Sequence, residues 1–203
     1  MNVTEYLQKW SVSYRDDMLG NIMPFWLKHG LDLRNGGVYT CLDRDGSLID
    51  TTKSVWFQGR FAFTCSYAYN HIEQNPEWLA AAKSTIDFIE QHCFDSDGRM
   101  FFEVTASGEP LRKRRYVFSE TFAAIAMAEY AIASGEREYA EKALKLFKDI
   151  QRFLNTPGVL EPKYWNTVQS KGHSIVMILI NTASRIRAAI ADPALDKQID
   201  DSI

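Results

Sequence analysis

The stretch KSVWFQGRFAF, residues 53–63, places Lys53, Trp56, Gln58 and Arg60 at the start of an otherwise apolar helix. An unpaired charge among apolar side chains is costly. Arg60 therefore needs a carboxylate partner, for which Glu120 is the candidate, or a polar ligand. Trp56 offers a flat face for stacking, although large aromatics also fill cores. Lys53 and Gln58 offer hydrogen bonds to hydroxyl-rich groups. Further on, RRYVFSE supplies Tyr116 and Glu120, and GHSIVMILI supplies His173 at a helix start. Charged donors beside aromatic planes suit a ligand such as a sugar. A solvated helix end would look similar in one copy, so the test is whether the arrangement recurs.

It recurs. With a shift of 62 residues, Asp45-Gly46 falls on Ser107-Gly108, Lys53 on Arg115, Val55 on Val117, Trp56 on Phe118, Gln58 on Glu120 and Ala62 on Ala124. A further shift of 56 places Arg115 on Lys171 and Val117 on His173, a weaker match. Helix pairs repeated in this way stack into a solenoid or close into a toroid. The starts of the inner helices then converge at one end, and Trp56-Gln58-Arg60, Tyr116-Phe118-Glu120 and Lys171-His173 become neighbours around a funnel mouth.

The elements that must position these residues are mostly helices, by their periodicity. Helices are expected from about Thr4 to Met18, Ser54 to His71, Pro76 to Cys93, Ser119 to Ser134, Glu136 to Leu154 and His173 to Ala191, where Pro193 stops the last. Leu7, Trp10, Tyr14 and Met18 share one face of the first. A broken segment, NIMPFWLKHG, follows it. Two small hairpins are expected, with turns at Asp45-Gly46 and Ser107-Gly108. The stretch 155–172 reads as an irregular loop.

Composition narrows the classes. The 203 residues are 46% hydrophobic and 24% charged, as in a packed globular domain, read as one domain over 1–203. A net charge of −3 argues against a nucleic-acid partner. Aromatics reach 13%, enough for both a core and a stacking pocket. The three cysteines form no CxxC pair, so neither a disulfide framework nor a zinc site is expected, and reduced thiols in the cytoplasm are the simpler reading. The first residues lack the basic and apolar regions of a signal peptide. No apolar run approaches the roughly 18 residues of a membrane helix. DRDG and DSDG begin like calcium loops but lack the later ligands. Arg112-Lys113-Arg114-Arg115 is a cationic run of the kind that is usually solvated or paired, with Arg115 in the repeat position of Lys53. His29, His71 and His92 lie near helix C-termini, where they favour the helix dipole.

KSVWFQGRFAF, GRMFFEVTASGEPLRKRRYVFSETFAAIAMAEYA and KGHSIVMILIN together resemble the N-acylglucosamine 2-epimerase family, over nearly the whole chain and in order. The resemblance implies an all-α (α/α)6 barrel, of which this chain matches the N-terminal half, with two small hairpins at the funnel mouth. It implies 2-epimerisation of an N-acyl-hexosamine through an enediolate, without metal or redox cofactor. In that family the arginine matching Arg60 reaches the sugar oxygens beside the reacting carbon, and the resemblance implies the same role for Arg60. Trp56, Gln58, Tyr116, Glu120, Lys53 and His173 are the expected sugar contacts. The family's acid/base histidines lie largely in the other half, so this chain alone is expected not to turn over substrate. The missing half or a homodimer would complete it. A mannose-type aldose–ketose isomerase, a cellobiose 2-epimerase and a non-catalytic binding remnant are the alternatives.

Overall fold

A computed structural model describes residues 2–162, 167 and 172–203. The helices are α1 (Val3–Asp17), α2 (Met23–His29), α3 (Val55–His71), α4 (Pro76–His92), α5 (Phe118–Ser134), α6 (Arg137–Asn155), α7 (Ser174–Ala189) and α8 (Pro193–Asp201). A wide π turn, Met18–Ile22, joins α1 to α2. Short strands β1 (Cys41–Leu42) and β2 (Leu48–Asp50) form the first hairpin. Strands β3 (Lys53–Ser54), β4 (Phe101–Val104) and β5 (Pro110–Lys113) form one antiparallel sheet in the order β3-β4-β5. The second hairpin is therefore stitched to the residues that start α3.

Helices α3, α5 and α7 pack side by side as an inner row, and α4, α6 and α8 pair with them from outside. This is an arc of the expected toroid. The sequence explains which helix goes where. On α5, FSETFAAIAMAEYAIAS is alanine-rich and buried along nearly its whole length, so it is the middle of the inner row. On α6 the buried residues Tyr139, Ala143, Leu146, Phe147, Ile150 and Phe153 follow the helical period, and most of the remaining positions are charged, as on a helix with one wet side. Gly59 lets α3 approach α5: an added Cβ would lie 2.7 Å from the Phe122 backbone.

Two features differ from expectation. Pro193 starts a helix as well as ending one: Asp192 accepts from the Ala194 N–H, and proline suits the first helical position. The apolar stripe of α1 stays outside the core, with Leu7 61% and Tyr14 69% exposed. Among the described residues no helix is long and apolar enough to cross a membrane.

Candidate functional site

The three inner helices begin at the same end, where the sheet lies. Their N-cap positions, Ser54, Val117 and His173, make no side-chain capping bond. On the outer row, Asn75 and Asp192 cap α4 and α8. The first-turn N–H groups of the inner row are thus left to face the mouth, where their dipoles favour negative charge.

The mouth holds a cavity of about 520 Å³ lined by Trp56, Arg115, Tyr116, Phe118, Glu161 and Ser174, among others. A continuous row of rings forms one wall. Tyr116 lies 5.7 Å from Phe118, Phe118 5.5 Å from Trp56, and Trp56 5.6 Å from Phe122, between centroids. Arg60 closes the row, its guanidinium carbon 4.2 Å from the Phe122 centroid and 5.9 Å from that of Trp56. Arg60 is exposed and forms no ion pair among the described residues. The aromatic faces hold it, and its donors remain available. Beyond Arg60 lies a second, apolar hollow of about 290 Å³ between α2 and α3, lined by Met23, Trp26, Phe57 and Phe61.

Trp56 and Tyr116 therefore line the mouth cavity, and Arg60, at the far end of the ring row, lines the apolar hollow beside it. His173 holds the N-cap position of α7 without a side-chain capping bond, is exposed, and precedes Ser174 of the cavity lining. Its repeat companion Lys171 lies outside the described residues. The other three predicted contacts are placed elsewhere, and this corrects the expectation. Lys53 is fully buried, its Nζ donating to Asp32 Oδ2 at 2.8 Å, to Gly36 O at 2.7 Å and to Ala106 O at 2.9 Å. Gln58 is fully buried, accepting from Val38 N–H at 2.8 Å and donating to Val38 O at 2.7 Å. Glu120 does not pair with Arg60; its Oε1 accepts from Arg99 Nε at 2.7 Å and from Met100 N–H at 3.0 Å. These side chains build the mouth from behind.

Burial raises the Asp32 carboxyl, but hydrogen bonds from Lys53, Asn35 and Arg34 outweigh it and hold the group well below the usual carboxylate range. Burial draws Lys53 down against the pull of Asp32. Cys65 and Cys93 are pushed up to about 12 by burial, so neither is a thiolate nucleophile. Among the described residues no group of three or more His, Cys, Asp or Glu is placed to hold a metal ion.

Arg99 was missed in the sequence. It is 4% exposed, and its Nη2 donates to the carbonyls of Arg114 at 3.1 Å and Tyr116 at 3.0 Å. It thereby fixes the irregular segment that carries Tyr116 into the mouth. The available signal was its register: at a shift of 62 it falls on Gly37, beside the Gln58–Val38 bonds.

An arc of helix pairs whose inner helices begin at one end is the architecture of an α/α toroid. The chain's residues 37–182 match the family model of N-acylglucosamine 2-epimerase. The chain belongs to that family. It is 30% identical over 177 residues to the N-acylglucosamine 2-epimerase of Bos taurus, covering 84% of this chain and 42% of that protein. It is 31% identical over 141 residues to a cellobiose 2-epimerase of Ruminococcus albus, covering 68% and 36%. Among solved structures, cellobiose 2-epimerase from Bacillus thermoamylovorans superposes with a TM-score of 0.84 at 20% identity, over 96% of this chain and 54% of that one. A D-mannose isomerase superposes with a TM-score of 0.70 at 18% identity, over 88% and 46%. The fold is thus half of an (α/α)6 barrel, and the chain spans less than half the length of the curated relatives it matches.

Proposed function

We propose that this chain is the sugar-binding half of a carbohydrate 2-epimerase that interconverts N-acyl-D-glucosamine and N-acyl-D-mannosamine. The observation that carries the reading is the ring row from Tyr116 to Arg60, which crosses the starts of two inner helices and ends in a guanidinium with no carboxylate partner among the described residues. Sugar rings have apolar faces that lie on aromatic planes and hydroxyls that need donors. Trp56 and Phe118 supply the plane, Tyr116 supplies a hydroxyl, and Arg60 supplies charge.

In the open-chain aldose a base removes the C2 proton, giving an enolate whose charge lies on the C1 oxygen, with the acylamino group on C2. Return of a proton to the opposite face of C2 gives the epimer. Arg60 would stabilise the enolate oxygen at C1, where charge develops. Proton exchange on two faces needs two groups with pKa values near neutrality. His173 is the histidine at this mouth. His29 and His92 lie beneath the two hairpin turns, and His71 is at the far end of α3 beside Glu129. The second proton carrier therefore comes from outside these 203 residues, from a further half-barrel or from a second copy in a homodimer. The cytoplasm, with reduced thiols, is the compartment we infer.

The experiment is to incubate the chain, alone and within the full-length enzyme, with N-acetyl-D-mannosamine in D₂O and follow deuterium at C2. Exchange is expected only with the full-length enzyme, and Arg60→Ala should lower kcat there by about 10²-fold or more. With D-mannose in place of the amino sugar, a ketose product would redirect the reading to an aldose–ketose isomerase. Unaltered turnover in Arg60→Ala would overturn the role of Arg60.

A further inference from the structure

The two faces of the β3-β4-β5 sheet treat their cations differently. On one face Lys113 is neutralised twice, by Asp95 at 2.7 Å and Asp97 at 2.6 Å. Its neighbours Arg112 and Arg114 project from the opposite face and stack on one ring: their guanidinium carbons lie 5.4 Å and 4.3 Å from the Phe102 centroid. Neither forms an ion pair among the described residues. Phe102 packs edge-on against Trp56 at 5.2 Å, so this pair of guanidiniums adjoins the ring row of the mouth.

Two buried donors there, Arg114 Nε and Trp56 Nε1, have no hydrogen-bond partner among the described residues, and both flank Phe102. Arg115, on the cavity wall, donates to the Pro162 carbonyl at 3.1 Å and forms no ion pair among the described residues. The cavity's carboxylate, Glu161, makes no ion pair with any of these arginines. The uncapped starts of α3 and α5 add partial positive charge. In a protein of net charge −3, two guanidiniums on one ring stand out; Glu103, opposite Arg112 in the strand ladder, and Glu161, on the cavity wall, form no ion pair with either of them.

We propose that Arg112 and Arg114, on the Phe102 ring, form an oxyanion subsite at the rim of the mouth, and that it takes a phosphate monoester carried by the sugar. Two guanidiniums match a dianion in charge, and their planar donors match its oxygens. Stacking on Phe102 holds them in place before the ligand arrives, which lowers the entropic cost of binding. The proposal rests on the sugar-binding reading for its second anchor: the ring row would hold the pyranose and the arginines its phosphate.

The test is calorimetric titration of the chain, at low and moderate salt, with N-acetylglucosamine, its 6-phosphate and inorganic phosphate. The 6-phosphate is expected to bind at least about tenfold tighter than the neutral sugar, an advantage that salt weakens. Arg112→Gln and Arg114→Gln should each remove most of that advantage and leave the neutral sugar's affinity unchanged. Lys113→Gln, with the same loss of charge on the opposite face, should retain it. Arg112 is exposed, so its variant keeps the test alive if Arg114→Gln fails to fold. Equal affinity for the two sugars, or equal loss in Lys113→Gln, would overturn the subsite and leave the sugar reading intact. Binding of inorganic phosphate that depends on Arg112, with no binding of the neutral sugar, would support the subsite and count against the sugar reading.

Discussion

The first repeat, residues 25–62, and the second, residues 88–124, are built to the same plan down to single hydrogen bonds. The bridge Leu31–Val38 corresponds to Phe94–Met100. Asp32 N–H donates to Gly37 O and Asp95 N–H to Arg99 O, at 3.0 and 2.8 Å. Gln58 Oε1 accepts from Val38 N–H as Glu120 Oε1 accepts from Met100 N–H. Phe25 stacks on His29 and Phe88 on His92. The difference lies in the cations. In the first repeat Gly37 leaves no room: a Cβ there would lie 2.6 Å from Gln58 Oε1. The buried cation is instead Lys53, drawn inward by Asp32. In the second, Arg99 takes the Gly37 position, Glu120 replaces Gln58, and Arg115, in the register of Lys53, stands at the mouth. One frame thus carries an inward cation in one copy and frees its counterpart for the mouth in the other.

The largest expected effect breaks the first repeat. Lys53→Ala leaves the Asp32 carboxylate buried and unpaired, and should destabilise by about 3–5 kcal/mol in urea unfolding. Lys113→Ala, on the wet side of the sheet, should cost no more than about 1 kcal/mol. Next, Glu120→Gln alone leaves Arg99 buried without a counter-charge and should cost about 3 kcal/mol. Adding Arg99→Gly rebuilds the Gly–Gln pairing of the first repeat, so the double variant should be more stable than the sum of the singles by about 0.5–3 kcal/mol. Strict additivity would mean that the two repeats only look alike.

The turn glycines sharpen the comparison further. Gly46 and Gly108 have φ of +87° and +93°, and a Cβ on either would lie 2.3 Å from a histidine ring, His29 or His92. Gly46→Ala and Gly108→Ala should each cost about 1–3 kcal/mol, and their melting shifts should match. The smallest effect is in pH. Asp32 is depressed when folded, so its contribution is present above its unfolded pKa of about 3.9 and is lost as pH falls toward the folded value. The urea midpoint should therefore fall between about pH 5 and about pH 2 more steeply in the wild type than in Asp32→Asn.

The frame was legible because its signals are local. Asp45-Gly46 and Ser107-Gly108 announce turns, and the 62-residue register aligns the inner helix starts. Trp56 and Tyr116 were legible as residues of the mouth because repetition placed them at one end. Lys53 and Gln58 were not, since what decides their fate is an irregular loop some twenty residues earlier, at Asp32 and Val38. Glu120 was given Arg60 as partner because both lie near helix starts; its real partner, Arg99, sits in a turn that no periodicity marks. Helix α8 was missed because nine residues hold too few apolar positions to show a period.

The seam between the repeats has a consequence for how the chain opens. Strand β3 pairs Lys53 with Val104 and Ser54 with Glu103, and the Lys53 ammonium holds the Ala106 carbonyl of the second turn. Ordinary solenoids fray one unit at a time from their ends. Here the first unit cannot detach without baring a cation and an unzipped strand in the second, so the two form one cooperative foldon. Amide protons on either side of the seam should then exchange with solvent through the same rare opening, and a hydrogen-exchange map would show one plateau where a modular array would show a staircase.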